Sequence, residues 1–117
     1  TGTARPDFVL GDRYGASCNL ELTEHLARNL SHLGYRVSRN KPYAGGFITE
    51  HYGRPSVGLH ALQLEINRGL YADEINLARN HHFQSLKNDL NIVFKQVFAA
   101  MQTNVTLPQP VYPLAAE

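Results

Sequence analysis

The most continuous apolar segment of the chain reads LHALQLEI at residues 59–66 and lies between segments rich in turn-forming residues. Such a run is typical of a strand buried on both faces, in a parallel or mixed sheet covered by helices. Successive side chains of a strand point to opposite faces. Glu65 therefore shares a face with Gln63, opposite His60, which we interpret as a packed histidine. Glu65 also lies at the carboxyl end of the strand, where burying an unpartnered charge is costly.

The segments around this strand have the patterns of a layered α/β protein. Residues 7–11 and 35–38 are short runs typical of strands. Residues 20–33 carry leucines at helical spacing and precede Gly34, and residues 83–101 carry a longer apolar stripe of the same period. The order strand, helix, strand, loop, strand, helix predicts an α/β fold with a mixed sheet flanked by helices.

The segment between the second and third strands is long and irregular. Residues 40–58 contain four glycines and two prolines, which predicts an ordered loop without a helix, and loops of this length are usually functional. Three further prolines predict an extended tail at residues 108–117. Since no linker divides the chain, we expect residues 1–117 to form a single domain or the C-terminal part of a larger one.

The composition excludes several classes of protein. The chain has 117 residues, of which 11 are basic and 10 acidic, whereas nucleic-acid-binding domains usually carry a strongly basic patch. Cys18 is the only cysteine, which excludes a fold stapled by internal disulfides; we interpret it as a half-buried thiol without a catalytic role. No apolar run approaches the roughly 20 residues that span a bilayer. We therefore expect a cytoplasmic protein that binds neither nucleic acid nor membrane.

Glu65 is the residue that fits its strand least and is the main catalytic candidate. In open α/β sheets, ligands bind beyond the carboxyl ends of the strands. We expect Glu65 to be partly buried there, and partly buried carboxyl groups have the raised pKa values that suit proton transfer near neutral pH. The residues alone leave a second interpretation open, in which Glu65 forms a structural ion pair with Arg68 or Arg54.

The six histidines do not form a recognisable metal site. None begins an HxxE, HxH or HExxH pattern, and His25 and His32 would lie roughly 10 Å apart along their helix. We therefore expect this chain to contribute no metal ligand. His51 lies in the long loop next to Tyr52, where it either binds substrate or caps a turn.

Several segments resemble the C-terminal signature of the N-formylglutamate amidohydrolases. The residues that carry this resemblance are NKPYAGGFIT at 40–49, HYG at 51–53, GLHALQLEINR at 58–68 and LY at 70–71, preceded by DFVLGDR at 7–13. Their order and spacing agree with the family over roughly residues 7–74, which is far more specific than any single motif.

The resemblance implies both a fold and a reaction. Members of the family are similar in fold to zinc carboxypeptidases and aspartoacylase-type deacylases, so a zinc-carboxypeptidase-like (phosphorylase/hydrolase-like) sheet flanked by helices is implied. The implied reaction is hydrolysis of N-formyl-L-glutamate to formate and glutamate, late in histidine degradation. In that reaction a zinc ion held by two histidines and a carboxylate activates water, and a glutamate on a strand passes the proton to the leaving amine.

The resemblance also assigns roles to individual residues. Glu65 matches the proton-transferring glutamate, and residues 40–54 match the segment that faces the substrate. Glu50 is a departure, since members of the family often have arginine there, and this departure bears on substrate specificity. The candidate substrate-binding residues are Asn40, His51, Tyr52, Arg54 and Arg68.

The length of the chain is the largest departure from the family. Family members are more than twice as long, and the histidine-containing segments that hold their zinc lie N-terminal to the matched region. We therefore expect this chain to be the C-terminal part of such an enzyme, with zinc ligands outside it and little activity alone. The expected partner is a small N-acyl amino acid. The alternatives are a zinc deacylase of another N-acyl acidic amino acid, or an inactive fragment or binding module that self-associates through an exposed sheet edge.

Overall fold

Three short strands form a mixed sheet in the computed structural model, which describes residues 5–73, 75–76 and 78–104. They are β1 (Phe8–Gly11), β2 (Val37–Arg39) and β3 (Gln63–Ile66), in the order β2-β1-β3. The central strand β1 runs parallel to β2 and antiparallel to β3. The predicted mixed α/β architecture is therefore confirmed, but the fully buried strand is β1 and not β3.

The apolar segment at residues 59–66 is a shorter and more exposed strand than predicted. Only Gln63–Ile66 pairs with β1, and β3 has no second neighbour among the described residues. The residues before it pair elsewhere: the Ala61 N–H donates to the Ser17 carbonyl at 2.8 Å, and Leu59 forms a bridge with Arg54. The prediction of one long strand buried on both faces is wrong because this segment changes partner halfway.

The first helix, α1 (Leu20–His32), agrees closely with the prediction for residues 20–33. Its start is capped by Asn19, whose side-chain oxygen accepts the Glu21 N–H at 3.0 Å. Its end is followed by Gly34 with φ of 97°, a left-handed conformation that glycine adopts without steric cost. Both ends of α1 are therefore determined by local sequence.

The helices α1 and α3 (Phe83–Asn104) pack together over one face of the sheet. Alternate residues of β1, Phe8 and Leu10, point into this layer and are fully buried. The outer strands add Val37, Leu64 and Ile66 to it. The buried helical residues of this core are Leu26, Leu30, Leu86, Val93 and Val97. The apolar stripe predicted for residues 83–101 is thus confirmed as core packing.

The opposite face of the sheet contacts a loop instead of a helix in the described part of the chain. A Cβ atom on Gly11 would lie 2.7 Å from the Ala44 carbonyl carbon, so only glycine fits this point of β1. The Arg13 N–H donates to the Ala44 carbonyl at 2.8 Å. Residues 42–46, hereafter the glycine loop, are therefore held directly against the sheet.

The long irregular segment contains a helix that the sequence did not predict. Helix α2 (Phe47–Tyr52) follows the glycine loop, and a 3-10 turn at Pro55–Val57 follows it. The Thr49 hydroxyl donates to the Gly46 carbonyl at 2.8 Å, and the Phe47 and His51 rings stack with centroids 5.0 Å apart. A helix of six residues, bounded by glycines, is too short to show a helical period in the sequence.

The predicted extended tail at residues 108–117 lies outside the described residues. Within the described ranges, none of the helices has both the length and the apolar character that crossing a membrane requires.

Candidate functional site

Glu65 lies on the face of the sheet that contacts the glycine loop. In the register of β1 and β3, Glu65 pairs with Val9, and Gln63 pairs with Gly11. Because alternate residues of a strand share a face, these side chains point away from the helical layer. The sheet thus places its packing residues on one side and its candidate catalytic carboxylate on the other.

The Glu65 side chain is exposed, which corrects the expectation of partial burial. β3 is an outer strand of the sheet, and among the described residues β1 is its single neighbour. The carboxylate nevertheless has a fixed environment: its Oε2 accepts a hydrogen bond from Gln63 Nε2 at 2.6 Å. Gln63 Oε1 in turn accepts the Gly46 N–H at 3.1 Å. Glu65 is therefore connected to the glycine loop through one side chain.

A pocket of about 670 Å³ opens beside Glu65 at the carboxyl end of β3. It lies where the antiparallel arrangement brings the start of β1 next to the end of β3, with the Asn67 N–H donating to the Asp7 carbonyl at 2.9 Å. Its volume falls in the range of small-molecule sites. The lining combines two guanidinium groups, a carboxylate pair and aromatic rings: Arg5, Asp7, Tyr43, Glu65, Arg68 and Tyr71.

Glu65 and Arg68 both line this pocket. In the described part of the chain, neither Arg68 nor Arg54 forms a salt bridge with Glu65. The structural ion-pair interpretation of Glu65 therefore has no support in this structure. A guanidinium suits bidentate binding of a substrate carboxylate, and a nearby carboxylate can accept and return a proton.

The other predicted substrate-binding residues do not line this pocket. His51 and Tyr52 are exposed on α2 with their rings in edge contact at 4.6 Å. Arg54 is exposed and donates from its guanidinium to the Gly53 carbonyl at 3.2 Å. Their role in substrate binding stays a prediction.

Asn40 has contacts that differ from the predicted one with substrate. It is 8% exposed, and its Nδ2 donates to Asp12 Oδ1 at 2.9 Å. Its Oδ1 accepts the backbone N–H groups of Asp12 and Tyr14 at 3.1 and 3.3 Å. In this structure the Asn40 amide therefore holds the turn at residues 12–15, which is hydrogen-bonded to the glycine loop.

Asp12 is the residue of this region that sequence reasoning missed. It has no exposed surface, and besides Asn40 its carboxylate accepts the Gly15 N–H at 3.2 Å and the Thr23 hydroxyl at 2.8 Å. These bonds fix a turn in which Arg13 and Tyr14 adopt φ of 53° and 56°. An aspartate directly before a glycine-containing turn was the only sequence signal for it.

Arg13 connects that turn to the glycine loop. Its Nη1 donates to the Gly45 carbonyl at 3.2 Å, and its Nη2 lies 3.8 Å from Glu50 Oε2. Glu50 thus pairs with Arg13 on the surface. The end of α2 also packs closely against the segment before α1. A Cβ atom on Gly53, the residue after α2, would lie 2.5 Å from Ser17 Cβ.

Cys18 is buried completely, which is more than the half-burial predicted. Burial raises the pKa of the Cys18 thiol, the hydrogen bond from Thr23 opposes this rise, and nearby Asp12 adds to it. Because the thiolate is the nucleophilic form, this environment supports the interpretation of Cys18 as a packing residue. His60 was predicted to be packed but is exposed, and its Nδ1 accepts the Asn19 N–H at 3.0 Å.

The residues that the structure describes do not fit a zinc ion by themselves. Among the described residues, no group of three or more histidine, cysteine, aspartate or glutamate side chains is arranged to hold a metal. Catalytic zinc usually has three protein ligands.

Comparisons of this sequence with known proteins all match the same family. The family model for N-formylglutamate amidohydrolase matches residues 1–72. An N-formylglutamate deformylase of Pseudomonas putida is 36% identical over 97 residues, which are 82% of this chain and 36% of that protein. The N-formylglutamate deformylase of Pseudomonas aeruginosa is 44% identical over 70 residues, which are 59% of this chain and 26% of that protein.

A solved structure agrees with the sequence comparison. The crystal structure of N-formylglutamate amidohydrolase from Ralstonia eutropha JMP134 superimposes with a TM-score of 0.84 at 36% sequence identity. The match covers 90% of this chain and 38% of that one. This chain thus spans between a quarter and two fifths of the length of these relatives. On the sequence match and the shared structure together, the chain belongs to the N-formylglutamate amidohydrolase family.

Proposed function

We propose that this chain supplies the acid/base residue and the substrate-facing segment of a zinc-dependent amidohydrolase. The reaction is hydrolysis of N-formyl-L-glutamate to formate and L-glutamate. The observation that carries the proposal is the position of Glu65: in a member of this family, it lines a pocket with Arg68 at the end of β3. The related proteins named above carry the same activity in their names.

Glu65 acts as the proton carrier of this reaction. Its carboxylate accepts a proton from the attacking water as the water oxygen bonds to the formyl carbon. It then returns that proton to the amide nitrogen as the C–N bond breaks, which releases the amino group of glutamate. Exposure to the pocket gives both the water and the leaving nitrogen access to the carboxylate.

Zinc in such an enzyme supplies Lewis-acid activation of the water and of the formyl oxygen. Because the described residues offer no set of three ligands, we propose that the ligands come from segments outside this chain. The fold of the complete enzyme would then be that of the zinc carboxypeptidases, with this chain as its C-terminal part.

Arg68 and Arg5 orient the substrate. N-formyl-L-glutamate carries two carboxylates, and the pocket contains two guanidinium groups. Arginine binds carboxylates through two parallel N–H donors, which fixes direction as well as position. The pocket therefore favours N-acyl amino acids with an acidic side chain over neutral ones.

A hybrid enzyme tests this proposal. Residues 5–104 of this chain replace the corresponding segment of the Pseudomonas putida deformylase, and the purified hybrid is assayed with formyl, acetyl and succinyl derivatives of glutamate. We expect zinc-dependent hydrolysis of the formyl derivative above the others. A preference for the acetyl or succinyl derivative would instead identify a related deacylase. A folded, zinc-containing hybrid that hydrolyses none of them would contradict the proposal.

A further inference from the structure

Gln63 forms the only hydrogen bond that the described residues provide to the Glu65 carboxylate. Its Nε2 lies 2.6 Å from Glu65 Oε2, on the same face of β3 and two residues away. Hydrogen bonds to an ionised acceptor are shorter and stronger than neutral ones. The contact therefore restricts where the carboxylate points, although the side chain is exposed to the pocket.

The far end of the Gln63 amide is anchored as well. Gln63 Oε1 accepts the Gly46 N–H at 3.1 Å. A backbone N–H can donate only to the amide oxygen, so the NH₂ group must be the end that faces Glu65. The orientation of the amide is thus determined by the glycine loop.

The glycine loop is itself a firm support. Arg13 holds it through two hydrogen bonds, from its backbone N–H to Ala44 at 2.8 Å and from its guanidinium to Gly45 at 3.2 Å. The Thr49 hydroxyl binds the Gly46 carbonyl at 2.8 Å. Since Gly11 packs against the same loop without room for a Cβ, movement of Gly46 relative to β3 is restrained.

We propose that Gln63 is a positioning residue. Anchored on the glycine loop, it orients the Glu65 carboxylate and leaves Oε1 of Glu65 as the oxygen that exchanges the proton. The inference rests on the proposed function of Glu65. Gln63 holds Oε2 of Glu65 in place by donating to it, whereas Oε1 of Glu65 has no hydrogen-bond partner among the described residues and is left to exchange the proton. Fixing the carboxylate in this way lowers the cost of reaching the reactive geometry.

Two substitutions separate the contact with Glu65 from the contact with the loop. Gln63→Glu keeps an oxygen that accepts the Gly46 N–H but removes the donor to Glu65. Gln63→Met removes both contacts at similar size. Gln84→Glu is the matched control, because Gln84 lies on the exposed surface of α3, where its Nε2 donates to Asn88.

The variants are compared in the hybrid enzyme by kcat, KM and the pH dependence of kcat. We expect Gln63→Met to lower kcat by about 10- to 100-fold with KM nearly unchanged, as for a misplaced catalytic group. In Gln63→Glu, two adjacent carboxylates resist being ionised together, so the acidic limb of the pH–rate profile should move up by about one pH unit or more. Gln84→Glu should match the unaltered hybrid in both respects.

The alternative outcomes distinguish this inference from the proposed function. If Glu65→Gln abolishes turnover while Gln63→Glu keeps the kcat and pH profile of the unaltered hybrid, Gln63 only supports the loop and the positioning role is overturned. If Glu65→Gln retains turnover, the proposed function itself fails. Gln63→Glu remains informative even where Gln63→Met does not fold, because it preserves the loop contact.

Discussion

The buried Asp12 carboxylate shows how much of the site depends on one residue far from the chemistry. It accepts hydrogen bonds from Asn40, Gly15 and Thr23, and they hold the turn that carries Arg13. Removing a donor from a buried acidic acceptor leaves part of its desolvation cost uncompensated. The rigidity of the glycine loop should therefore depend on this cluster.

Thr23→Val tests the Asp12 cluster without changing side-chain volume. The hydroxyl of Thr23 is buried and donates to Asp12 at 2.8 Å, so the substitution should lower the free energy of unfolding by about 1.5–3 kcal/mol. Thr49→Val is the control, because the buried Thr49 donates to a neutral carbonyl at 2.8 Å and should cost about 0.5–1.5 kcal/mol. Urea unfolding measures both, and equal losses would argue against a special role for Asp12.

Arg68→Met tests recognition of the substrate carboxylate. Loss of a charge-assisted hydrogen bond of about 1.5–3 kcal/mol should raise KM of the hybrid for N-formyl-L-glutamate by about 10- to 100-fold. We expect kcat to change less, because the carboxylate contact is made equally in the ground state and the transition state. Arg28→Met, at an exposed position of α1 outside the pocket, is the control. A KM that responds equally to both substitutions would exclude Arg68 from the substrate contact.

The location of Glu65 followed from its sequence, whereas its environment did not. Alternation in residues 59–66 placed Glu65 and Gln63 on one face, and the structure agrees. Burial depends on which strands flank β3, and strand order is a long-range property that a local pattern does not contain. For the same reason, the hydrogen bond from Gly46 to Gln63, between residues distant in sequence, could not be predicted.

The two long helices form the layer that supports β1. Leu30 of α1 is fully buried in this layer, whereas Leu33, at the end of the same helix, is 46% exposed. We expect Leu30→Ala to lower the free energy of unfolding by about 2–5 kcal/mol because it leaves a cavity. Leu33→Ala should cost about 0.5 kcal/mol or less. Chemical unfolding of both variants gives the comparison, and similar losses would show that α1 packs differently.

The elements that were predicted well are those whose signals are local. Helix α1 has an apolar period and a terminal Gly34, and the structure reproduces both; the cap at Asn19 was found only in the structure. Helix α2 was missed because it has only six residues. Its contacts are the hydrogen bond from the Thr49 hydroxyl to the Gly46 carbonyl and the stacking of the Phe47 and His51 rings. Strand β3 was predicted too long because Leu59 forms a bridge with nearby Arg54 and the Ala61 N–H donates to Ser17, which lies far away in the sequence.

The connection between α1 and β2 is joined to α3 by a hydrogen bond that should make stability depend on pH. The Tyr35 hydroxyl donates to the Asp89 carboxylate at 2.5 Å. Burial, followed by this hydrogen bond and by the charges of Asp89 and Asp7, raises the pKa of Tyr35 to about 12 from its ordinary value of 10.0. Between these values the unfolded chain has lost the proton that the folded chain keeps, so stability falls as pH rises.

Tyr35→Phe should remove this part of the pH dependence. At neutral pH the variant is less stable than the unaltered chain because it lacks the bond to Asp89. The difference in free energy of unfolding should shrink between pH 10.0 and about 12, where the tyrosine contribution is lost. Tyr52→Phe, at an exposed ring, serves as the control in urea unfolding across this range. A difference that stays constant with pH would contradict the role of Tyr35.

The two faces of the sheet have different roles in the molecule: one packs the core, and the other carries the candidate site. One face packs on α1 and α3, and the other carries Gln63 and Glu65 beside the glycine loop. The family and its fold were predictable from motifs that span most of the described chain. The pocket was predictable only in its position at the end of β3, since its lining comes from three segments that lie far apart in the sequence.

The role of Glu65 is settled most simply by the turnover of N-formyl-L-glutamate by the hybrid enzyme, with glutamate and with glutamine at this position. We expect Glu65→Gln to lower kcat by about 100- to 10,000-fold, as removal of a general acid–base does, with zinc content and melting temperature unchanged. Turnover close to that of the unaltered hybrid, in a protein that still contains zinc, would show that Glu65 does not carry the proton.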